Sequence, residues 1–302
     1  MAKKKDIKAQ SPELSTPPSG LRIIFREILH DKIALVALSI IVLILLVTMI
    51  GSFFYNYASI TEVNIMDSYY GYFTNGHIFG TDEGGRDILA QVIVGGRNSI
   101  LIGVSVTAVT MGIGLVLGLI VGYYGGLVDA IVMRIVDFIQ ILPQMPILIV
   151  LVAVIPNYNA FALVGIISMF GWTGNTRYYR SFVLSQRGRD YVMASKTSGS
   201  SDLKIMFKEV LPNISSMIII DLVLSVAGNI GIETSLSFLG YGLPPQTPSL
   251  GTLISYANDP ANIIARPWLW MPATILLLVI SLSINYVGRA LQRAGDARQR
   301  QA

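Results

Sequence analysis

The chain has 302 residues, 53% of them hydrophobic and 13% charged, with a mean hydropathy of +0.61 and a formal net charge of +4. Soluble domains average about 25% charged residues, so one aqueous core cannot hide this much apolar side chain, and the composition points to a polytopic membrane protein. Cysteine is absent, which excludes a disulfide framework, a thiol nucleophile and a Cys-based metal site.

Residues 1–32 read as a basic, solvated tail near anionic lipid. Its Lys-, Ser- and Pro-rich start has no apolar core, and the first apolar run, beyond Lys32, is long enough to span, which argues against a cleaved signal peptide. The first span is placed at 33–54. An aromatic-rich outer segment follows over 55–97, and the second span runs from about Ile100 to Tyr123. The uncharged run Phe138 to Thr176 is too long for one span. It breaks at Pro156-Asn157-Tyr158-Asn159, which makes it a third and a fourth span joined by a hairpin. Pro143 and Pro146 free backbone carbonyls within the third span and predict a kink. A fifth span covers about Ile214 to Leu236 and a sixth about Trp268 to Val287. Each is near the roughly 20 residues a bilayer helix requires. The expected fold is all-α with six transmembrane helices: a first span, a core over 98–290 and a short tail over 291–302.

Nineteen of the 22 Lys and Arg, all but Arg86, Arg97 and Arg266, fall on one side of this arrangement. Basic loops stay cytoplasmic, so both termini and the polar loop 187–213 are expected inside a cell membrane. Gly114, Gly118, Gly122 and Gly126 recur every four residues in the second span. They predict one helix face on which a neighbouring backbone packs closely, or a surface that slides during transport.

The polar loop is the most informative stretch. Tyr191 to Ser198 has no Pro or Gly and reads as two helical turns, with Gly199 as a left-handed stop. Ser200 or Ser201 is placed to cap a second helix, with Asp202 in its first turn. Leu203, Ile205, Met206 and Phe207 make that helix apolar between Lys204 and Lys208, and Pro212 is expected to end it. A short helix along the membrane face suits docking into a groove on a cytoplasmic partner. Resting on lipid headgroups is the alternative the residues leave open.

The loop resembles the cytoplasmic Glu-Ala-Ala loop of ABC importer permeases. Met193-Ala194-Ser195 stands in the leading positions, two of which depart from the pattern, while Gly199 and Leu211-Pro212 match. Further segments, in order along the chain, resemble the second (C-type) permease of the dipeptide, oligopeptide and nickel branch. They are Phe79-Gly80-Thr81-Asp82-Glu83-Gly84-Gly85-Arg86-Asp87, Gly122 to Gly126, Met133 to Asp137, and Glu233-Thr234-Ser235-Leu236-Ser237-Phe238-Leu239-Gly240 with the prolines 244, 245 and 248 after it.

The resemblance implies a type I ABC importer permease. Such a subunit pairs with a second, related permease, two cytoplasmic ATPase subunits and an extracytoplasmic binding protein that delivers a peptide. It also implies that Ala194, Ser195, Gly199, Ser201, Asp202, Leu203, Ile205, Phe207, Leu211 and Pro212 form the loop that couples to the ATPases. ATP and Mg²⁺ would be used by those partners. This sequence has no Gly-x-x-x-x-Gly-Lys-Ser/Thr phosphate loop of its own, so no cofactor and no catalytic residue is expected in it. Nickel or another small solute is the alternative cargo.

Asp221 lies within the fifth span, and a carboxylate there costs about 2.5–3.5 kcal/mol at mid-bilayer. It should face protein or water, as a structural hydrogen-bond partner or as part of the pathway. Glu233, near the outer end, is read mainly as holding the Ser-Leu-Ser-Phe turn, with a pathway role as the second reading. Asp137 and Gln140 are placed at the cytoplasmic start of the third span. The segments 55–97 and 249–266 are candidates for the binding protein's docking face. His30 and His77 fall on opposite sides of the membrane and cannot share a metal. A secondary transporter should show an internal repeat and an ionisable relay, and an intramembrane enzyme should show a His or a paired carboxylate within the spans. Neither pattern is evident. Nothing in the basic tail points to nucleic acid.

Overall fold

A computed structural model describes residues 31–55, 60–156, 158–244 and 247–299, the side chains of the last four excepted. The basic tail up to His30, and Asn157 and Pro245, lie outside the described residues. Within them the chain is helical with no named strand, only two isolated bridges in the outer segment.

Helix α1 (Lys32–Leu45) begins where Asp31 accepts hydrogen bonds from the Ile33 and Ala34 amides, satisfying two of the free N–H groups at a helix start. It continues through a π turn, Leu46–Ile50. Helix α2 (Ile88–Tyr124) is capped by Asp87 on the Ala90 amide. It therefore starts ten residues before the expected boundary at 98, and Arg97 is helical rather than part of an outer loop. Polar residues hid this start, because the boundary was drawn from the uncharged run and Asp87 caps upstream of it.

Helices α3 (Gly126–Ile141) and α4 (Gln144–Val154) form one bent apolar pair, with the length and composition of a broken span or a re-entrant loop. The bend is 80°, at Leu142-Pro143, where the proline's missing N–H and its neighbour's restricted backbone end a helix. The expected kink is thus a break. Helix α5 (Ala160–Arg187) follows, then α6 (Asp190–Thr197) and α7 (Asp202–Ile205). A π turn, Met206–Val210, joins α7 to α8 (Leu211–Phe238). Short α9 (Leu250–Ile254) and α10 (Pro260–Ala265) cross the outer end before α11 (Met271–Gln299).

Four helices are long and apolar enough to cross a membrane: Lys32–Phe54, Ile88–Tyr124, Asp202–Phe238 and Met271–Gly295, with the broken pair as a fifth candidate. Helix α5 has the length but not the apolarity, since its C-terminal half carries Arg177, Arg180 and Arg187. Its polar side chains are instead taken up by neighbours. Arg180 makes a bidentate pair with Asp129 of α3, Arg177 pairs with Asp137, and Tyr179 donates to Asp221 of α8.

The most extensive helix contact is between α2 and α5. A Cβ at Gly118 would lie 2.8 Å from the Tyr179 Cβ and 3.0 Å from the Arg180 nitrogen, and one at Gly122 would lie 2.7 Å from Val183. Gly114 meets Asn175 and Thr176 in the same way. Three of the four glycines therefore form the close-packed face. Gly126 does not, because α2 ends at Tyr124 and Gly126 opens the next helix with nothing near its Cβ position.

Candidate functional site: the loop 187–213 and the helix it joins

Helix α6 ends on a Schellman stop. The Gly199 N–H bonds to the Lys196 carbonyl at 3.1 Å and the Ser200 N–H to the Ser195 carbonyl at 3.1 Å, with Gly199 at φ +80°. Most side chains would be strained there, which explains the glycine. Ser201 takes the N-cap position of α7, but its hydroxyl makes no capping bond.

Pro212 does not end the second helix. It lies in the first turn of α8, and α7, the π turn and α8 form one uninterrupted helical stretch, Asp202–Phe238. The π turn supplies the reason. It widens the ladder over Met206–Val210, immediately before the position where a proline ring would otherwise clash with the preceding turn. The expected short helix on the membrane face is thus the end of the fifth-span helix itself. At about 1.5 Å per residue, its 37 residues reach about 55 Å.

The loop sorts its side chains in two directions. Val192, Ile205, Met206, Val210 and Ile214 are buried with Leu119, Tyr123 and Val183 at the C-terminal ends of α2 and α5. Met193, Leu203 and Phe207 face outward, at 60%, 63% and 49% exposure. Polar bonds fix the two helices of the loop. Ser195 donates to Glu209, Tyr123 donates to Asp202 at 2.8 Å, and Arg187 reaches the Tyr123 carbonyl at 3.3 Å. Of the ten loop residues singled out from sequence, Ala194, Leu203 and Phe207 are exposed, as are Gly199, Ser201 and Pro212. Ile205 is buried, Leu211 is half-buried, and Ser195 and Asp202 are engaged inside the loop. Glu209 and Tyr123 were not singled out. Their partners lie 14 and 79 residues away, and no local spacing signals such a pair.

At the far end of the same helix, Glu233 has no exposed surface. Ser237 donates to it at 2.7 Å, Thr234 lies at 3.5 Å, and the buried hydroxyls of Ser99 and Ser249 reach the same carboxyl. The cluster joins α8 to α2 and to the start of α9, where the Leu250 amide also bonds Ser99. Between the two ends, Asn229 donates to Thr107 of α2 at 2.9 Å, and Asp221 accepts from Tyr179 and Ser225. Glu233 and Asp221 are thus both engaged with protein groups.

The outer segment is built on Asp82, which is fully buried. It accepts from the Gly84 and Arg86 amides, the Arg86 Nε, Gln91 and, at 3.3 Å, Tyr256. Trp268 donates to the Thr81 carbonyl, and Arg266 stacks 3.6 Å from the Tyr69 ring centroid. The Gly-Thr-Asp motif thereby ties 55–97 to 249–268. His77 pairs with Asp87 at 2.6 Å.

These features define a helical membrane component with a polar loop built into a long apolar helix, and residues 114–301 match the family described as binding-protein-dependent transport system inner membrane component. The chain belongs to that family. It is 48% identical over 273 residues to the oligopeptide transport system permease protein OppC of Lactococcus lactis subsp. lactis, covering 90% of this chain and 93% of the relative. It is 38% identical over 230 residues to OppC of Mycobacterium tuberculosis H37Rv, with 74% and 77% covered. Identity to the dipeptide permease DppC of Lactococcus lactis subsp. cremoris MG1363 is 35% over 222 residues, with 74% and 64% covered. The likeness read from the motifs extends over 90% of the chain for an oligopeptide permease and over 74% for a dipeptide permease.

Proposed function

We propose that this chain is one of two permease subunits of an ATP-driven importer of di- or oligopeptides. An extracytoplasmic binding protein delivers the cargo and two cytoplasmic ATPase subunits supply the work. The 48% identity to an oligopeptide permease over 90% of the chain carries the cargo assignment. In this reading α5, the fourth span in chain order, brings the crossing helices to six, with Arg180 and Arg177 neutralised by Asp129 and Asp137. Both termini and the loop face the cytoplasm, as the basic residues direct.

The mechanism follows from the continuity of Asp202–Phe238. Met193, Leu203 and Phe207 present an apolar surface for an ATPase groove. Closure of the ATPase dimer displaces that surface. Because Pro212 leaves the helix unbroken, the displacement passes along α8 to the Glu233 cluster rather than being absorbed at the membrane face. ATP shifts the equilibrium between inward- and outward-open states only by favouring the state in which the dimer is closed.

The test is ATPase activity and peptide uptake in proteoliposomes holding this chain with its neighbouring permease, ATPases and binding protein. Stimulation by loaded binding protein together with peptide uptake is expected. ATPase stimulation by nickel-loaded binding protein, with no peptide response, would replace the cargo. Failure to assemble with any ATPase would overturn the coupling role of the loop.

A further inference from the structure

Tyr123, near the C-terminal end of α2, is buried and bonded to two other elements at once. Its hydroxyl donates to Asp202 Oδ1 at 2.8 Å, in the first turn of α7, and its carbonyl accepts from Arg187, the last residue of α5, at 3.3 Å. That carbonyl is among those a helix leaves without an internal partner at its C-terminus. Gly125 makes the approach possible, because a Cβ there would collide with the Arg187 guanidinium. Tyr123 also shares an apolar cluster with Val192, Ile205 and Met206 of the loop.

Further from the loop, α2 is fixed to both neighbours. Asn175, Tyr179 and Val183 of α5 sit over Gly114, Gly118 and Gly122 in one register, four residues apart on both helices. A slip of α2 along α5 by less than one turn, about 5.4 Å, takes those side chains off the glycines. On the other side, Asn229 of α8 donates to Thr107 at 2.9 Å, and the Ser99 hydroxyl reaches Glu233. Helix α2 is thus tied to the Asp202–Phe238 helix at its outer end, at its middle and, through Tyr123, at the loop.

We infer that Tyr123 is a positioning residue for transport: it makes α2, with α5 locked to it, travel with the loop, so that displacement of the loop moves three helices as one body rather than α8 alone. The bond suits this role. A hydroxyl held on a carboxylate is charge-assisted and directional, whereas the apolar contacts around it are not directional and would let the loop end turn against α2. The glycine face is then a lock between α2 and α5, not a sliding surface. The inference rests on the coupling role proposed above for the loop.

Both readings separate in one set of proteoliposomes of the full complex. ATP-driven uptake of trialanine by the unaltered complex tests the coupling reading alone. Tyr123→Phe, which removes one oxygen, then tests the bond. Peptide delivered per ATP hydrolysed is expected to fall about tenfold, the factor that one hydrogen bond to a charged group commands. The chain has no cysteine, so Val116→Cys with Lys204→Cys, both exposed, carry spin labels that report the spacing of α2 and the loop beside cysteine-free partners. With Tyr123 in place that spacing is expected to hold within about 2 Å between the resting and ATP-trapped states, as in one rigid body. With Tyr123→Phe it is expected to change by more than about 4 Å on ATP trapping. Asp202→Asn keeps an acceptor oxygen and is expected to preserve the spacing, whereas Asp202→Leu releases it. A role confined to folding would lower the melting temperature of Tyr123→Phe and leave the spacing fixed in both states. That result, or a spacing that already changes with Tyr123 in place, overturns the proposal while leaving the importer intact.

Discussion

The two ends of the Asp202–Phe238 helix are built on opposite plans. At the N-terminal, loop end apolar side chains point outward and polar ones hold the loop from within: Ser195 to Glu209, Tyr123 to Asp202. At the outer end the polar groups are sealed, with Glu233 enclosed by the hydroxyls of Ser99, Ser237 and Ser249. The first arrangement leaves a surface free for another protein, and the second anchors the helix to α2 and α9. The difference separates residues whose substitution should cost coupling from residues whose substitution should cost stability.

The largest effect is expected from Glu233→Ala. It orphans buried hydroxyls at about 1–3 kcal/mol each, so the assembled complex should melt well below the unaltered one in a detergent thermal-shift assay. Next is Gly118→Leu, which drives a side chain into the Tyr179 Cβ and the Arg180 and Thr176 backbone. Overpacking of about 1–3 kcal/mol or more should again show as lost thermal stability. The cytoplasmic end should respond differently. Leu203→Asp with Phe207→Asp is expected to abolish ATPase co-purification and uptake, while the chain's own melting temperature shifts by no more than about 0.5 kcal/mol would produce. Gly199→Pro and Asp202→Arg should likewise abolish uptake while the complex still inserts, since Gly199 sits at φ +80° and Asp202 ties the loop to Tyr123. Normal uptake by either variant would remove the loop from the coupling path.

The smallest effect concerns pH. Asp31 accepts from the Ala34 amide and, less strongly, from Arg293 and the Ile33 amide, and these together hold its carboxyl below the ordinary value of 3.8. A depressed carboxyl contributes stability that is present above the unfolded-state pKa and is lost as pH falls through the folded one. Acidification below about pH 4 should therefore loosen the start of α1 from α11. Asp31→Asn should remove that pH dependence of the melting temperature.

Much of this was legible in the sequence because it is local. Gly199 declared the loop's stop, Pro143 and Pro146 declared a kink in the third span that the structure turns into a sharper break at Pro143, and the apolar runs located four crossing helices directly. What was not legible depends on contacts distant in sequence. Pro212 reads as a terminator by its own chemistry, and only the π turn at Met206–Val210 lets the helix pass through it. Helix α5 reads as two pieces of different polarity, an uncharged half and a basic half, until Asp129, Asp137 and Asp221 supply partners for its polar side. Gly126 keeps the four-residue spacing of Gly114, Gly118 and Gly122 yet lies beyond the helix end, because periodicity does not report where a helix stops.

The account stands on Asp202–Phe238 moving as one rigid element. Paired spin labels at Lys204→Cys and Ser235→Cys, both exposed positions outside the Met193, Leu203 and Phe207 surface, measure it directly in the assembled complex with cysteine-free partners. Over 31 residue steps at about 1.5 Å each, the labels should lie about 46 Å apart and stay there within about 2 Å between the resting and ATP-trapped states. A shortening of more than about 5 Å on ATP trapping would place a hinge at Pro212 and contradict the lever.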